Sequence, residues 1–414
     1  MLAPYRRLFS AEGSVGFTAT GFLARLALSM SGVGTVVMVA SMRHSYALAG
    51  AVGGSSLAAT LITIPLLGRL VDRYGQSRTA VPAAIWSAAM SAALVLCLAA
   101  HAPTWTLFVT NVLSATAPNV GGMARARWAE IYCADDERMH VANSFEQVLD
   151  EMCFVLGPLV VVGLATGVAP EAGRVAPLVL TLAGTVLFSL QRGTEPPVQP
   201  AEPAHSRTPL TNRGLQVMML VFLFTGALFG SLEVVTIAFT DFLHHRSSAG
   251  PILALQAVGS ALAGLVFGTL TPRGSSTGRF LTGVGGMALL MLPLTLADGL
   301  WSLVPLMFIA GTATSPTMIT GMGLVQELIP RAQLNEGMTL AVTSLLGGSS
   351  LGSVLAGWSV ERFDAGNGYL LPVGAATLAL LTAAAGLGRL RAGVSAPEAP
   401  ALPETTAELG RQSS

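Results

Sequence analysis

Apolar runs of about 18 to 25 residues follow one another along the chain, near 14–40, 46–67, 80–100, 103–123, 141–166, 172–190, 214–240, 249–270, 279–297, 300–324, 336–359 and 366–388. Short polar or charged turns separate them. Each run is long enough to cross a hydrocarbon core of ~30 Å at about 1.5 Å per residue. The period-two alternation of a barrel strand is absent, and lipid offers no partner to backbone polar groups, so the runs are predicted to be helices. The expected fold class is an all-α polytopic membrane protein with 12 transmembrane helices. The first run follows Arg6 and Arg7 but exceeds a signal core in length, carries Arg25 and is followed by eleven similar runs. It reads as an uncleaved first span.

The segment "QRGTEPPVQPAEPAHSRTPLTNRG" at 191–214 is proline-rich and lacks apolar periodicity, dividing six spans from six. The two sets echo one another. "GRLVDRYG" at 68 returns as "GTLTPRGS" at 268, and "LGPLVVVG" at 156 as "LGSVLAG" at 351. Two six-helix pseudo-repeats are expected: a bundle over 1–190, a cytoplasmic linker over 191–213 and a second bundle over 214–390. The tail 391–414 has too little apolar surface to offset ordering entropy and is expected to be disordered.

Composition agrees with a membrane protein: 52% hydrophobic, 11% charged, mean hydropathy +0.64. Net charge is zero, with 22 basic residues, all arginine, against 22 acidic ones. Seventeen arginines fall on the side of both termini, Arg43, Arg174, Arg246 and Arg362 face the other side, and Arg25 is within a span. The positive-inside bias then puts both ends in the cytoplasm. Cys97, Cys133 and Cys153 are odd in number and far apart, arguing against a disulfide framework or zinc site and for packing roles.

Charge gathers after span 2, in "GRLVDRYGQSRT" at 68–79. This loop resembles the signature of the major facilitator superfamily through Gly68, Leu70, Asp72, Arg73, Gly75 and Arg78, with Gln76 and Ser77 where the family often has basic residues. The chain is most similar to a group of actinobacterial twelve-span members, sharing the span 1 arginine, "RARW" at 125–128, "LDE" at 149–151, "FGSLEV" at 229–234 and "NEG" at 335–337. The resemblance implies a cytoplasmic gate motif. Gly68 permits close helix approach and Gly75 a tight turn, while Asp72 accepts hydrogen bonds from an arginine or a helix N-terminus across the seam between halves. The second copy has Pro272 in place of the aspartate, so gating should be asymmetric.

An ionisable group at mid-bilayer costs about 2.5–3.5 kcal/mol on insertion scales, so each needs a partner or a function. Arg25 lies deep in span 1. In span 5, Glu146 is near the cytoplasmic end, with Asp150 and Glu151 deeper. Glu146 and Asp150 share a helix face; Glu151 is turned ~100° away. One of the deep pair is expected to neutralise Arg25, as a static ion pair or as the carrier of a coupling proton. Glu233 in span 7 has no nearby basic residue and is a further candidate for substrate or proton. Asn111, Asn119, Gln256, Thr314, Thr317 and Thr320 offer interhelical hydrogen bonds. Gly157 and Pro158 resemble the glycine-proline packing motif of the superfamily's exporters. The buried span 4 arginine of its drug exporters is missing from "LFVTNVLSATAPNVGG", so proton antiport does not carry over from that motif.

These features point to a secondary transporter moving a small organic solute across the plasma membrane by alternating access, with proton-coupled efflux as the leading expectation. Uptake of a metabolite and a non-transporting sensor are the alternatives. No Ser-His dyad, HExxH or acidic metal cluster supports an enzyme, no P-loop exists in a chain without lysine, and no basic domain suggests nucleic acid. No cofactor is expected. The expected partners are a small-molecule substrate, a coupling proton and the lipid bilayer, with the chain a monomer.

Overall fold

The computed structural model describes residues 3–133, 135–198, 209–245, 248–271, 273–362 and 368–394. Its helices are α1 (Ala3–Leu8), α2 (Ser14–Arg43), α3 (Tyr46–Tyr74), α4 (Gln76–Ala99), α5 (Thr104–Ser114), α6 (Val120–Ile131), α7 (Asp136–Gly167) and α8 (Ala172–Leu190). After the linker come α9 (Arg213–Phe242), α10 (Ala249–Gly268), α11 (Ser276–Met291), α12 (Leu300–Thr312), α13 (Thr314–Leu328), α14 (Leu334–Arg362), α15 (Leu370–Ala385) and α16 (Leu387–Val394). No strand occurs among the described residues.

Ten of these segments are long and apolar enough to cross a membrane, counting α12 and α13 as one, and α15 with α16, bent by 56°, makes an eleventh. The remaining apolar run is the fourth. It is broken into α5 and α6 at 115–119, where Pro118 withholds a backbone donor and Asn119 restarts the helix by accepting from the Gly122 amide. The break moves the end of span 4 from residue 123, as read from hydropathy, to Ile131. It thereby draws Arg125, Arg127 and Trp128 into the bundle.

In the first half α2 packs on α7 and α8, and in the second α9 packs on α14 and α15. The α9–α14 contact rests on four glycines. A Cβ on Gly226 or Gly230 would overlap the carbonyl oxygen of Leu345 or Ser349, and one on Gly348 or Gly352 that of Leu223 or Ala227. This is small-residue packing at four-residue spacing on both helices, as expected where apolar lipid supplies no force between helices.

Both ends of the described chain lie at one end of the bundle. The Tyr5 hydroxyl of α1 donates to Leu265 O in α10 at 2.8 Å, and burial pushes that hydroxyl up to about 12, so it remains a donor. The backbone of α16 meets Leu328 at the end of α13. At the far end, His44, His101 and His244 take φ of 50°, 50° and 60° at helix ends, a left-handed conformation that suits histidine better than branched residues. The linker's start is docked. Glu195 accepts from Ser77 N at 2.8 Å and Ser77 Oγ at 2.5 Å, holding the chain over the α3–α4 turn. The tail expectation changes at its first residues, because Arg391 to Val394 continue α16; the rest of the tail, like Pro272, lies outside the described residues.

Gly348→Leu is expected to lower the unfolding free energy in detergent by about 1–3 kcal/mol through overpacking. Gly374→Leu, where an added Cβ meets nothing within 4 Å, is expected to leave the melting temperature unchanged.

Candidate functional site

Arg25 is 6% exposed, near the middle of α2. Its guanidinium meets two carboxylates from successive turns of α7, Glu146 at 2.5 Å and Asp150 at 3.1 Å. Asp150 also takes Arg125 of α6 at 2.6 Å, and Glu146 accepts from Trp128 Nε1 at 2.6 Å. Four charges from three helices, Arg25 and Arg125 against Glu146 and Asp150, therefore balance in one buried cluster. The four-residue spacing on α7 aims both carboxylates at the same partner. Glu151, one residue on, points to the other half. Its Oε1 accepts from Ser260 Oγ of α10 at 2.9 Å and from Gln147 Nε2 at 3.1 Å. Ser260 in turn meets Thr314 Oγ1 at 2.6 Å and Ser315 Oγ at 2.8 Å. Among the described residues no arginine or histidine pairs with Glu151.

The halves close on one another at the termini end. Gly68 lets α3 approach α14 so closely that a Cβ would lie 2.5 Å from Thr339 Oγ1 and 3.1 Å from Asn335 O. Beside it, Asp72 accepts from Asn335 N at 3.1 Å, Asn335 Nδ2 at 2.7 Å and Glu336 N at 2.8 Å, satisfying first-turn amides of α14. Arg69 pairs with Glu336. On the other flank α7 packs on α10: Asn143 Nδ2 donates to Gln326 Oε1 at 2.8 Å, His140 Nε2 lies 3.0 Å from Phe267 O, and Ser144 touches Gly268.

Asp72 and Gly68 of the signature loop face the seam, while Leu70, Arg73 and Arg78 are exposed, with Arg73 over the Tyr74 ring at 5.3 Å. Gly75, at φ 92°, ends α3 and begins α4, a conformation that favours glycine. Gln76, in a position the family often gives to a basic residue, is 2% exposed and bridges Met123 O and Arg127 Nε. A second cation there would face Arg127.

A family model described as Major Facilitator Superfamily matches residues 17–352. The chain belongs to the major facilitator superfamily. No curated protein sequence matches it significantly. Solved transporters share the fold at low identity. A bacterial homologue of the iron transporter ferroportin, outward-facing, superposes with TM-score 0.73 at 13% identity, covering 91% of this chain and 99% of its own. The human organic anion transporter MFSD10 gives 0.70 at 12%, covering 90% and 100%. The transporter FucP, in an outward conformation, gives 0.68 at 13%, covering 90% and 98%.

Within this superfamily fold several sequence expectations change. Arg125 and Arg127, counted as loop charges, are buried in α6. Span 4 therefore does carry buried arginines, contributed by the continuation beyond its break. Arg127 lies 3.8 Å from the Phe188 ring centroid and donates to Gln191 O and Thr194 Oγ1. Arg174, expected to face the far side, turns inward to Ser31 O, Ser91 and Ser114. Cys153 is buried and Cys97 half-buried, as packing roles require, but Cys133 is exposed.

Glu233 is exposed on α9 and pairs with no cation among the described residues. Gly157 carries the close α7–α2 approach, where a Cβ would overlap Ser29 Oγ, and Pro158 follows inside α7. Asn111 bonds Val52 O across helices, whereas Thr317 and Thr320 bond their own helix. Sequence reasoning missed Arg69, Arg125, Glu336 and Ser260 as partners. The first lies within the signature loop, and the next two lie within "RARW" and "NEG". Ser260 had no signal beyond its hydroxyl. Among the described residues no three His, Cys, Asp or Glu side chains converge as a metal site.

Glu146→Gln is expected to destabilise the folded protein by about 3–5 kcal/mol by leaving buried Arg25 undercompensated. Glu151→Gln, which breaks no ion pair, is expected to melt near the wild type in the same thermal assay. Asp72→Ala should loosen the seam, seen as faster maleimide labelling of Ser144→Cys in a cysteine-free background; an unchanged rate would count against the latch.

Proposed function

We propose that this transporter exports a small organic solute from the cytoplasm by alternating access, with Glu151 carrying the coupling proton. Membership of the superfamily and its transporter neighbours support a multi-pass secondary transporter rather than an enzyme. The observation that carries the finer reading is the charge count at α7. Arg25 and Arg125 balance Glu146 and Asp150, and Glu151 is left over at the seam between halves.

An uncompensated carboxylate is costly in the membrane interior, so a protonated Glu151 fits the closed seam. Both of its donors converge on Oε1, leaving Oε2 to hold the proton. Rocking the halves apart at the termini end separates Glu151 from Ser260 and admits water. The carboxyl then releases its proton on that side. With both termini in the plasma membrane's cytoplasmic compartment, as the arginine bias favours, the closed end is cytoplasmic and the state is outward-facing. Two structurally similar transporters carry that description. Asp150 serves as a fixed ion-pair partner, and exposed Glu233 as a contact for solute.

The export direction rests on the Gly157–Pro158 resemblance and on tight α7–α2 packing that closes a leak path. Uptake is the competing direction, and one neighbour is titled a proton:xylose symporter.

Everted vesicles containing the protein, with a pH-sensitive dye and a panel of organic solutes, provide the test. Solute-dependent proton release from the vesicle lumen is expected for the wild type, and Glu151→Gln should abolish it while retaining solute binding. Unaltered proton release in that variant would remove Glu151 from the mechanism. Proton movement in the opposite sense would establish uptake.

A further inference from the structure

The degenerate copy of the signature loop, between α10 and α11, has a different setting from the first. In the first half the loop is covered by the linker, through Glu195 on Ser77. In the second half the corresponding loop edges a cavity of about 700 Å³, within the range of small-molecule sites of about 300–1,000 Å³. At its mouth, on the termini end, stand Arg273, Arg279 and His140. Its depth runs past Gly278, Thr282 and Gly286, one stripe of α11, to Ala313 and Pro316. Ten residues of α11 separate Ser276 from Gly286, so the groove reaches about 15 Å towards the bilayer centre.

Charge and polarity sort along this groove. The mouth holds two arginines, neither of which forms a salt bridge among the described residues. Arg279 Nη1 reaches only Gly274 O at 3.4 Å, and its buried Nε has no partner. Glu327 accepts from the Ser276 hydroxyl at 2.7 Å and interacts with Arg279 only through its charge, without forming a salt bridge. The deeper walls are glycine, alanine, proline and Thr282, whose hydroxyl donates to Gly278 O of its own helix at 3.0 Å. An outward stripe on α10, Val258, Leu262 and Val266, is exposed at four-residue spacing, and Leu270, two residues past the helix end, is exposed on the cavity wall. That spacing marks a lipid-facing helix side, which places the cavity edge at Leu270 beside the bilayer.

We propose that this groove is a binding site for an anionic phospholipid, with the phosphate held by Arg273 and Arg279 and one acyl chain lying along α11 from Gly278 to Gly286. Charge complementarity selects the head, and the apolar groove open to the bilayer selects a tail-bearing anion over a free one. The site borders the seam at His140 and Phe267, and the assignment does not depend on the direction or coupling of transport.

The glycines offer a clean test. A Cβ at Gly286 meets nothing within 4 Å, so Gly286→Leu starts its side chain in open space and is expected to fill the groove. Purified full-length protein, delipidated in detergent, is titrated with dioleoylphosphatidylglycerol and followed by native mass spectrometry and thermal melting. One tightly retained lipid and a raised melting temperature are expected. Dioleoylphosphatidylcholine, inorganic phosphate and glycerol phosphate are expected to give neither. Arg273→Gln combined with Arg279→Gln should weaken retention about thirtyfold. Gly286→Leu should lose the lipid with both arginines intact, and each variant should melt near the wild type without lipid. Equal retention of phosphatidylcholine, undiminished binding in both variants, or a melting shift with inorganic phosphate matching that with lipid would each overturn the assignment.

Discussion

An ionised side chain inside a hydrocarbon slab must find its counter-charge within the protein, and α7 is built around that demand. Two carboxylates one turn apart meet Arg25 of α2, and the second also meets Arg125 of α6. Three helices are thereby held in register near the middle of the first half. The apolar contacts of that half arrange themselves on either side. One cluster, built on Phe17 of α2 and Trp128 of α6, lies towards the termini, and another, built on Met38 of α2 and Leu98 of α4, lies towards the far end. Burying such a cluster is costly unless each member is paired, and here each cation faces a carboxylate.

With the first half held internally, charge at the seam acquires a different meaning. Glu151 follows Asp150 directly, yet the helical rotation between neighbours carries it out of the balanced cluster and onto α10. Hydroxyl and amide partners replace arginine there. The polar contacts that cross the halves at Asp72, Asn143 and Glu151 are hydrogen bonds of 2.7–3.1 Å, joined beside Asp72 by the Arg69–Glu336 ion pair, whose arginine is exposed. The proposed alternating access suits such contacts better than a network of fully buried salt bridges, because rupture exposes groups that water can satisfy.

Close approach of backbones completes this arrangement. Within the second half, glycines on α9 and α14 bring the helices together; across the seam, Gly68 does the same for α3 and α14. The two uses share one helix. α14 packs on α9 through one face and presents its N-terminal amides to Asp72 at its start, so packing within the second half and contact across the seam meet in one helix.

What the amino-acid sequence determined by itself was local in character. Apolar run length and the absence of alternation specified helices that cross a membrane, and four-residue spacing placed Glu146 and Asp150 on one face. The signature loop supplied Gly68 and Asp72. Hydropathy failed at span 4, because Pro118 breaks the helix there and because arginines paired inside the bundle resemble loop charges when read one residue at a time. Partnership was decided only by tertiary structure. Arg25 and Asp150 are 125 positions apart, and Asp72 and Asn335 are 263 apart. Periodicity tells which face a residue occupies; it cannot tell which distant helix packs there, since that depends on how the small residues of all the spans let their backbones meet.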